Sequence, residues 1–286
     1  MGNGQTAFER ILREARCSSP APVFDPISAR IAREVGFDVA LLAGSSVSLQ
    51  ILGAPDLVLV TLTELVEQVR RITRAADIPL LVDADHGFGN ALSVIRTVTE
   101  LSGAGAAAVT IEDTLLPAAF GSADTRQVIA IDEAVGKIRA ACHASQSASI
   151  AVVARTDIAA TGLENGVARI KAYSLEAVAA VFVSGVKSRR DLDAISAATG
   201  LPLILGAIPD DMKDLDYLAS RRVRLFNQGH QPLMASIQAT YEAMEALKNG
   251  VSPDRPLRLA PAHLVDRLSG GETYRAWTEA FLGPNK

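Results

Sequence analysis

Acidic side chains that could bind a metal ion end two apolar segments of the chain. Asp83 and Asp85 end the segment L-L-V-D-A-D, and Glu112 ends A-A-V-T-I-E. Side chains of a β-strand alternate between its two faces, so Asp83 and Asp85 are expected on one face and Ala84 on the other. Carboxylates without paired histidines or thiolates suit a hard cation, which predicts a Mg²⁺ site with Mn²⁺ as a substitute. The alternative interpretation is that these acids cap helices or pair with lysines.

Three further polar residues stand where apolar segments stop and could contact an acidic substrate. Arg155 ends I-A-V-V-A-R, and a guanidinium binds a carboxylate through a two-point fork. Ser45 follows Gly44, where a missing side chain lets backbone amides approach an anion. His230 follows N-Q-G and could donate to a substrate oxygen. The open alternatives are an ion pair of Arg155 with Asp157 or another acid, a plain turn at Ser45, and a helix cap at His230.

The elements that position these residues follow from the alternation of short apolar runs with helical spacing. Several runs are continuously apolar, as expected for parallel strands covered on both faces. The predicted strands are Pro22–Asp25, Val39–Ser45, Pro79–Asp85, Ala107–Asp113, Ser149–Thr156, Val178–Ser184, Leu201–Gly206 and Val223–Gly229. The predicted helices are Ile27–Val35, Ala91–Leu101, Glu133–His143, Val167–Ser174, Arg190–Thr199 and a long final helix, Pro232–Lys248.

Eight strands with helical crossovers predict an α/β fold, a (β/α)8 TIM-type barrel, and an open doubly wound sheet is the alternative. No G-x-G-x-x-G motif opens the first strand-to-helix turn, which disfavours a dinucleotide-binding sheet. In a barrel the carboxyl ends of all strands face one mouth, so the polar residues above would converge there. We predict one barrel domain over residues 1–286, with a C-terminal extension, 251–286, packed on the barrel or on a neighbouring subunit.

The composition narrows the class of partner. The net charge is −4, and the chain has no long basic run, so nucleic acid and anionic membrane surfaces are poor candidates. Hydrophobic residues make up 49% of the chain, which is enough for a sizeable core. With only Cys17 and Cys142 there is no disulfide framework, and both are expected to be buried thiols. No apolar stretch is long enough to cross a bilayer, and the predicted location is the cytoplasm.

The same segments resemble the isocitrate lyase/phosphoenolpyruvate mutase superfamily, and most closely its oxaloacetate decarboxylase branch. The resemblance covers about residues 20 to 245, and D-A-D-H-G-x-G together with I-E-D is its most specific part. The matching segments are V-F-D-P-I-S-A-R (23–30), G-S-S-V-S (44–48), A-P-D (54–56), D-A-D-H-G-F-G-N (83–90), I-E-D-T-L-L-P (111–117), A-R-T-D (154–157) and N-Q-G-H (227–230).

This resemblance implies a barrel whose last helix is swapped between subunits, in a homotetramer built from two dimers. It also implies that Asp83 binds Mg²⁺ directly. Asp56, Asp85 and Glu112 would hold the waters of the ion. The substrate would be contacted by Ser45, Arg155 and His230, and Arg155 and His230 would be the catalytic residues.

The segment 117–127 departs from the wider superfamily. Its lyases carry a K-K-C-G-H-type loop after the I-E-D strand, and its mutases and phosphonopyruvate hydrolases carry a lysine there. Here the loop reads P-A-A-F-G-S-A-D-T-R-Q, with neither cysteine nor lysine. That difference argues against isocitrate- or methylisocitrate-type cleavage and against chemistry at a carbon–phosphorus bond.

Decarboxylation agrees with the remaining residues. The predicted reaction is Mg²⁺-dependent loss of CO₂ from oxaloacetate, or a close 2-oxo dicarboxylate, to give pyruvate through an enolate that the metal stabilises. One alternative is another carbon–carbon lyase or hydrolase of the superfamily that acts on methylisocitrate or a substituted oxaloacetate. The other is a low-turnover binder of oxalate-like ligands.

Overall fold

A computed structural model describes residues 4–118, 120–121, 126–250 and 259–283. Eight parallel strands form one sheet in the order of the sequence, each paired with the next. The strands are β1 Ala21–Pro22, β2 Ala40–Leu42, β3 Leu80–Asp83, β4 Ala108–Glu112, β5 Ala151–Asp157, β6 Ala180–Ser184, β7 Leu203–Leu205 and β8 Val223–Phe226. The predicted TIM-type α/β fold is therefore confirmed.

Thirteen helices accompany the strands in the described residues, with a π-helical turn at Ser48–Leu52 and a 3-10 turn at Asp210–Met212. Those before β5 are α1 Gly4–Arg13, α2 Pro26–Val35, α3 Gly44–Val47, α4 Leu62–Ala75, α5 Ala91–Gly103 and α6 Ile131–Ser145. The remainder are α7 Ile158–Thr161, α8 Leu163–Tyr173, α9 Arg189–Ala198, α10 Leu215–Ser220, α11 Gln231–Lys248, α12 Ala262–Ser269 and α13 Gly271–Leu282. All the predicted helices are present, with small differences at their ends.

The sheet closes on itself beside its first strand. Ser18, three residues before β1, pairs in parallel with Leu225 of β8. Its amide donates to the Arg224 carbonyl at 3.0 Å, and its own carbonyl accepts from the Phe226 amide at 3.1 Å. This bridge supplies backbone partners that an open sheet edge would lack.

Helix α1 fills the amino-terminal end of the barrel. Phe8, Ile11 and Leu12 are buried in one cluster with barrel-interior residues such as Val153. A Cβ atom on Gly4 would lie 3.3 Å from the Cβ of Ala107, which directly precedes β4. This helix was not predicted from the sequence. Because it covers the amino end, the carboxyl ends of the strands are left to form the site.

Several predicted strands are too long at their carboxyl ends. The prediction that β3 continues to Asp85 is wrong, since the strand ends at Asp83. The first strand ends at Pro22, and Asp25 instead caps α2 by accepting from the Ser28 amide at 2.7 Å. At Asp25 a short polar side chain follows the apolar run and bonds a local backbone amide, which favours a helix cap over a strand.

Residues to His230 form one compact unit, and residues from Gln231 form a second. Of the predicted extension 251–286, residues 251–258 and 284–286 lie outside the described part. Cys17 and Cys142 are buried free thiols, and burial raises the pKa of Cys17 to about 12 and of Cys142 to about 11. No helix in the described ranges is both long and apolar enough to cross a membrane.

Candidate active site

All seven residues predicted for the site line one cavity of about 410 Å³ at the carboxyl ends of the strands. They are Ser45, Asp56, Asp83, Asp85, Glu112, Arg155 and His230. A larger surface depression of about 630 Å³ lies between α9 and α10 and contains none of them. The cavity at the strand ends therefore holds the candidate chemistry.

Strand register determines which side chains become neighbours. Asp83 of β3 pairs with Thr110 of β4, and the Thr110 hydroxyl donates to Asp83 Oδ1 at 2.7 Å. Glu112 of β4 pairs with Arg155 of β5, which in turn pairs with Phe182 of β6. The Arg155 guanidinium lies 5.1 Å from the centre of the Phe182 ring, a cation–π distance.

Arg155 is held by acids of the site. Its Nη1 donates to Asp83 Oδ1 at 2.7 Å and to Oδ2 at 2.6 Å, while its Nε lies 3.2 Å from Glu112 Oε2. Burial alone would lower the pKa of Arg155, but Asp83 and Glu112 outweigh it and the net shift is upward. From the sequence, Arg155 was expected either to bind a substrate carboxylate or to form an ion pair with Asp157 or another acid. The structure contains an ion pair, and the acids are Asp83 and Glu112 instead of Asp157. Substrate binding by Arg155 stays a prediction.

Asp85 reaches the cavity by a route that strand alternation did not predict. Its φ is +46°, in the left-handed region, so it lies in a turn rather than in extended backbone. Aspartate tolerates this conformation better than most residues. The carboxylate packs against α3, because a Cβ on Gly44 would lie 3.0 Å from Asp85 Oδ1. A glycine at position 44 therefore leaves room for this acid.

The turn after β3 is fixed through three successive carbonyl groups. The Glu112 amide donates to the Asp85 carbonyl at 2.8 Å, and the Lys137 ammonium of α6 donates to the His86 carbonyl. The Thr97 hydroxyl of α5 donates to the Gly87 carbonyl at 3.1 Å. Three different elements thus hold the backbone that carries Asp85.

Burial and mutual repulsion disfavour the ionised forms of the acids in the cavity. Burial, with the charges of Asp83 and Glu112 adding to it, raises the pKa of Asp85 to about 8. The pKa of Glu112 is raised chiefly by burial, against the lowering effect of Arg155. Burial, followed by the Asp83 charge, also raises the pKa of Asp56. A cation in this cavity would relieve both the burial cost and the repulsion.

The donor set fits a hard cation in chemistry and in location. Asp56, Asp83, Asp85 and Glu112 offer only carboxylate oxygens, which Mg²⁺ prefers. In the described ranges, however, no three His, Cys, Asp or Glu side chains are grouped closely enough to hold a metal as they stand. Both Asp83 oxygens are engaged by Arg155. Because Mg²⁺ keeps several waters, one direct carboxylate with others bound through water agrees with this arrangement.

His230 is held between two serine hydroxyls at the start of α3. Its Nε2 lies 3.1 Å from Ser45 Oγ, and its Nδ1 lies 3.2 Å from Ser46 Oγ. Both ring nitrogens are therefore engaged by hydroxyls rather than by a helix end. Burial lowers the pKa of His230 despite the opposing charges of Asp56 and Asp83. The ring is neutral near pH 7 and can donate one N–H.

Sequence reasoning missed three residues that the structure connects to the site. Thr110 and Lys137 had a signal, since each is a polar residue among apolar positions of a buried strand or helix face. Ser46 had none, because a serine after Gly-Ser is ordinary. Arg126 was considered from the sequence only as a proton-handling residue for the alternative lyase, and not as a residue of this cavity. Of the loop 117–127, residues 119 and 122–125 lie outside the described part.

Comparison with known proteins gives the family. The family model described as phosphoenolpyruvate phosphomutase matches residues 8–248. The chain belongs to the phosphoenolpyruvate phosphomutase family. A curated relative named oxaloacetate decarboxylase, from Rhodopseudomonas palustris strain BisA53, is 49% identical over 282 residues, 98% of this chain and 97% of the relative. The sequence prediction of an enzyme of this superfamily is confirmed.

Solved structures of family members share the whole fold. A 2,3-dimethylmalate lyase is 29% identical and superposes with a TM-score of 0.85, covering 98% of this chain and 96% of its own. A phosphonopyruvate hydrolase in complex with oxalate and Mg²⁺ is 27% identical with a TM-score of 0.85, covering 98% and 99%. That member of the family therefore binds a small dicarboxylate together with the metal.

Proposed function

We propose that this chain is a Mg²⁺-dependent decarboxylase that converts oxaloacetate, or a close 2-oxo dicarboxylate, into pyruvate and CO₂. The observation that carries the proposal is the cavity lined by four carboxylates, a buried arginine and a neutral histidine at the carboxyl ends of the strands. The 49% identical relative named oxaloacetate decarboxylase supports the choice of reaction. The phosphonopyruvate hydrolase complex supports the choice of metal.

The proposed reaction breaks the bond between C3 and C4 of the substrate. The electron pair of that bond moves into the C2–C3 bond, the negative charge develops on the C2 oxygen, and CO₂ leaves. A proton then adds to C3 and gives pyruvate. When bound, Mg²⁺ supplies positive charge beside the oxygen on which the negative charge develops.

The residues of the chain would divide this work by position. Asp83 would bind the ion directly, and Asp56, Asp85 and Glu112 would hold its waters. Arg155 would bind the carboxylate next to the keto group. The neutral ring of His230 would donate to a substrate oxygen, and Ser45 lies close enough to share that contact.

The composition of the loop agrees with a decarboxylation. Bond cleavage in this scheme needs no protein base, so a loop without cysteine or lysine is sufficient. Only the later protonation of C3 needs a donor, and water can serve. A lyase that must deprotonate a hydroxyl or stabilise a second leaving group would need more from this segment.

The test is a CO₂ and pyruvate assay with purified protein, oxaloacetate and Mg²⁺, corrected for the metal-only rate. We expect turnover well above that background, lost on chelation and restored by Mg²⁺. Asp83→Ala should lower the excess rate by about 100-fold or more, while Asp38→Ala, in an exposed ion pair with Arg16, should leave it unchanged. Equal rates for Asp83→Ala and wild type would remove Asp83 from the metal role.

A substrate panel separates this proposal from its alternatives. Release of acetate or glyoxylate without CO₂ would identify a different lyase or hydrolase of the family. Tight binding of oxalate by calorimetry, without turnover of any 2-oxo or 2-hydroxy acid, would identify a binding protein. Either result would overturn the decarboxylase assignment.

We also propose that the chain assembles into a homotetramer through α11. This helix carries large apolar side chains spaced three or four residues apart that are 44–66% exposed. They are Met234, Ile237, Tyr241, Met244 and Leu247. Such a stripe favours burial against another subunit, in agreement with a swapped last helix. Light scattering at micromolar concentration should give four times the chain mass, and a monomer would contradict the proposal.

A further inference from the structure

We propose that Arg126 selects substrates with a second carboxylate, as the specificity-determining residue for the end of the substrate remote from the metal. The inference rests on the proposed function of the cavity, and it deepens that function by assigning a second anion contact. Arg126 and Arg155 are the two arginines among the described residues that line the cavity. Their surroundings differ.

Arg155 has little capacity left for a second anion. Its Nη1 is bound to both oxygens of Asp83, its Nε lies against Glu112, and its guanidinium packs over the Phe182 ring. One carboxylate at the remaining edge of this guanidinium is the most that geometry allows. A dicarboxylate needs another positive group for its second end.

Arg126 has the opposite character. Its side chain is 65% exposed, and its Nη1 donates to Asp157 Oδ2 at 2.8 Å. A guanidinium has five N–H donors, and this is the one hydrogen bond of Arg126 to the described residues, which leaves donors for a ligand in the cavity. Arg126 is therefore anchored at one nitrogen while its remaining edge is available.

The anchor itself is rigid. Asp157 is the last residue of β5 and only 8% of its side chain is exposed. Its Oδ1 accepts from the Ala159 amide at 2.8 Å and so caps α7. An arginine that pairs with an immobile acid keeps its charge in one place, which lowers the entropy cost of ligand binding.

Charge balance in the cavity favours such a contact. Four acids line the cavity against two arginines, so a dianionic substrate would meet net repulsion before the metal binds. The Arg126 charge acts on this cavity, since it opposes the dominant effect of burial on the pKa of Asp56 and of Glu112. It is the exposed positive charge among the described lining residues.

The chemistry predicts how this contact affects the kinetics. A carboxylate bound to Arg126 before reaction loses its charge as C4 leaves in CO₂, so the contact weakens toward the transition state. Binding energy that is present in the ground state and lost in the transition state lowers KM and also lowers kcat. Loss of the Arg126 contact should therefore raise KM and alter substrate choice, and it should not lower kcat.

The experiment compares Arg126→Gln with Arg139→Gln, in the presence of Mg²⁺. Arg139 is a matched control, because its side chain is 68% exposed and pairs with a largely buried acid, Glu176, away from the cavity. Calorimetry would use two probes: oxalate, which is short enough to occupy only the metal end, and malate, whose second carboxylate lies two carbons further along. Kinetics would use oxaloacetate.

We expect Arg126→Gln to raise KM for oxaloacetate and the Kd for malate by about 10- to 100-fold, the effect of losing a charge-assisted hydrogen bond. The Kd for oxalate should change less than about threefold and kcat should not fall, and Arg139→Gln should change nothing. Arg126→Lys should recover part of the malate affinity. Equal weakening of oxalate and malate, or no effect on either, would overturn the proposal.

The outcomes also separate this inference from the proposed function. If wild type binds malate and oxalate but does not decarboxylate oxaloacetate, the decarboxylase assignment fails. The selective loss of malate affinity in Arg126→Gln would still support the second carboxylate contact. If decarboxylation is present and Arg126→Gln lowers kcat at constant KM, Arg126 has a different role and the inference fails.

Discussion

Two adjacent acids at the end of β4, Glu112 and Asp113, have opposite environments. Glu112 lines the cavity, where its nearest cation, the Nε of Arg155, lies 3.2 Å away. Asp113 is 2% exposed and lies on the other side of the strand end. Its Oδ2 accepts from Arg169 Nη1 at 3.0 Å and from the Tyr173 hydroxyl at 2.6 Å, both on α8.

The difference distinguishes an acid that serves the structure from one that is available for chemistry. The Thr156 hydroxyl is a third donor to Asp113 Oδ2, at 2.8 Å, and the Asp113 carbonyl accepts from the Ile129 amide. Asp113 therefore joins β4, β5 and α8 at the base of the 113–129 segment. Fewer side chains hold Glu112. Burial raises its pKa because the nearby positive charge does not fully compensate its own negative charge.

The largest expected effect is on stability, from Asp113→Ala. This change leaves the Arg169 guanidinium buried without its acid, which should lower the free energy of unfolding by about 3–5 kcal/mol. Urea denaturation measures the change. Asp113→Asn, which keeps the shape and an acceptor, should lose less. A loss below 1 kcal/mol for the alanine variant would show that Asp113 is not structural.

Glu112→Gln should show the converse pattern. The substitution removes a buried charge of raised pKa, so the free energy of unfolding should change by less than about 1 kcal/mol. The rate of decarboxylation should fall by about 100-fold, because a metal-site acid is lost. Steady-state assays measure this at saturating Mg²⁺, with the exposed Glu100→Gln of α5 as control. A large loss of stability with normal kcat would reverse the assignment of the two acids.

The smallest expected effect comes from Tyr173→Phe. Removing the hydroxyl deletes one of the three donors to Asp113 while the ring continues to fill its buried position. A hydrogen bond to a charged group contributes about 1.5–3 kcal/mol, and we expect the lower end because two donors remain. The melting temperature reports the loss. The variant should keep normal activity at 25 °C. A lowered kcat with an unchanged melting temperature would contradict a structural role for the Tyr173 hydroxyl.

From the sequence, Glu112 was predicted to belong to the metal site, and no role was predicted for Asp113. Alternation in a strand predicts that neighbours face opposite sides. Which side is the cavity depends on the register of β3, β4 and β5, which a single sequence does not reveal. Six of the seven predicted site residues were found together because each follows an apolar run, and parallel strands end at one mouth. Asp56 was predicted only through the family resemblance.

Other features of the site were beyond sequence reasoning for a physical reason. The left-handed backbone at Asp85 results from contacts made by distant elements, so strand alternation gave the correct face by an incorrect route. Which acid pairs with Arg155 also depends on the strand register. From the sequence alone, either Asp83 or Asp157 could have been its partner. The structure pairs Asp83 with Arg155 and Asp157 with Arg126.

The hydrogen bonds to the carbonyls of Asp85, His86 and Gly87 determine whether the segment D-A-D-H-G would keep its conformation in another protein. The donors come from β4, α5 and α6, so the segment D-A-D-H-G carries only the accepting half of each bond. If the same five residues were inserted into another barrel that lacks Thr97 and Lys137, the turn would adopt other conformations. The Asp85 carboxylate would then have no fixed position. The conformational entropy of the Asp85 side chain is lost when the chain folds, so it is not lost again in each catalytic cycle.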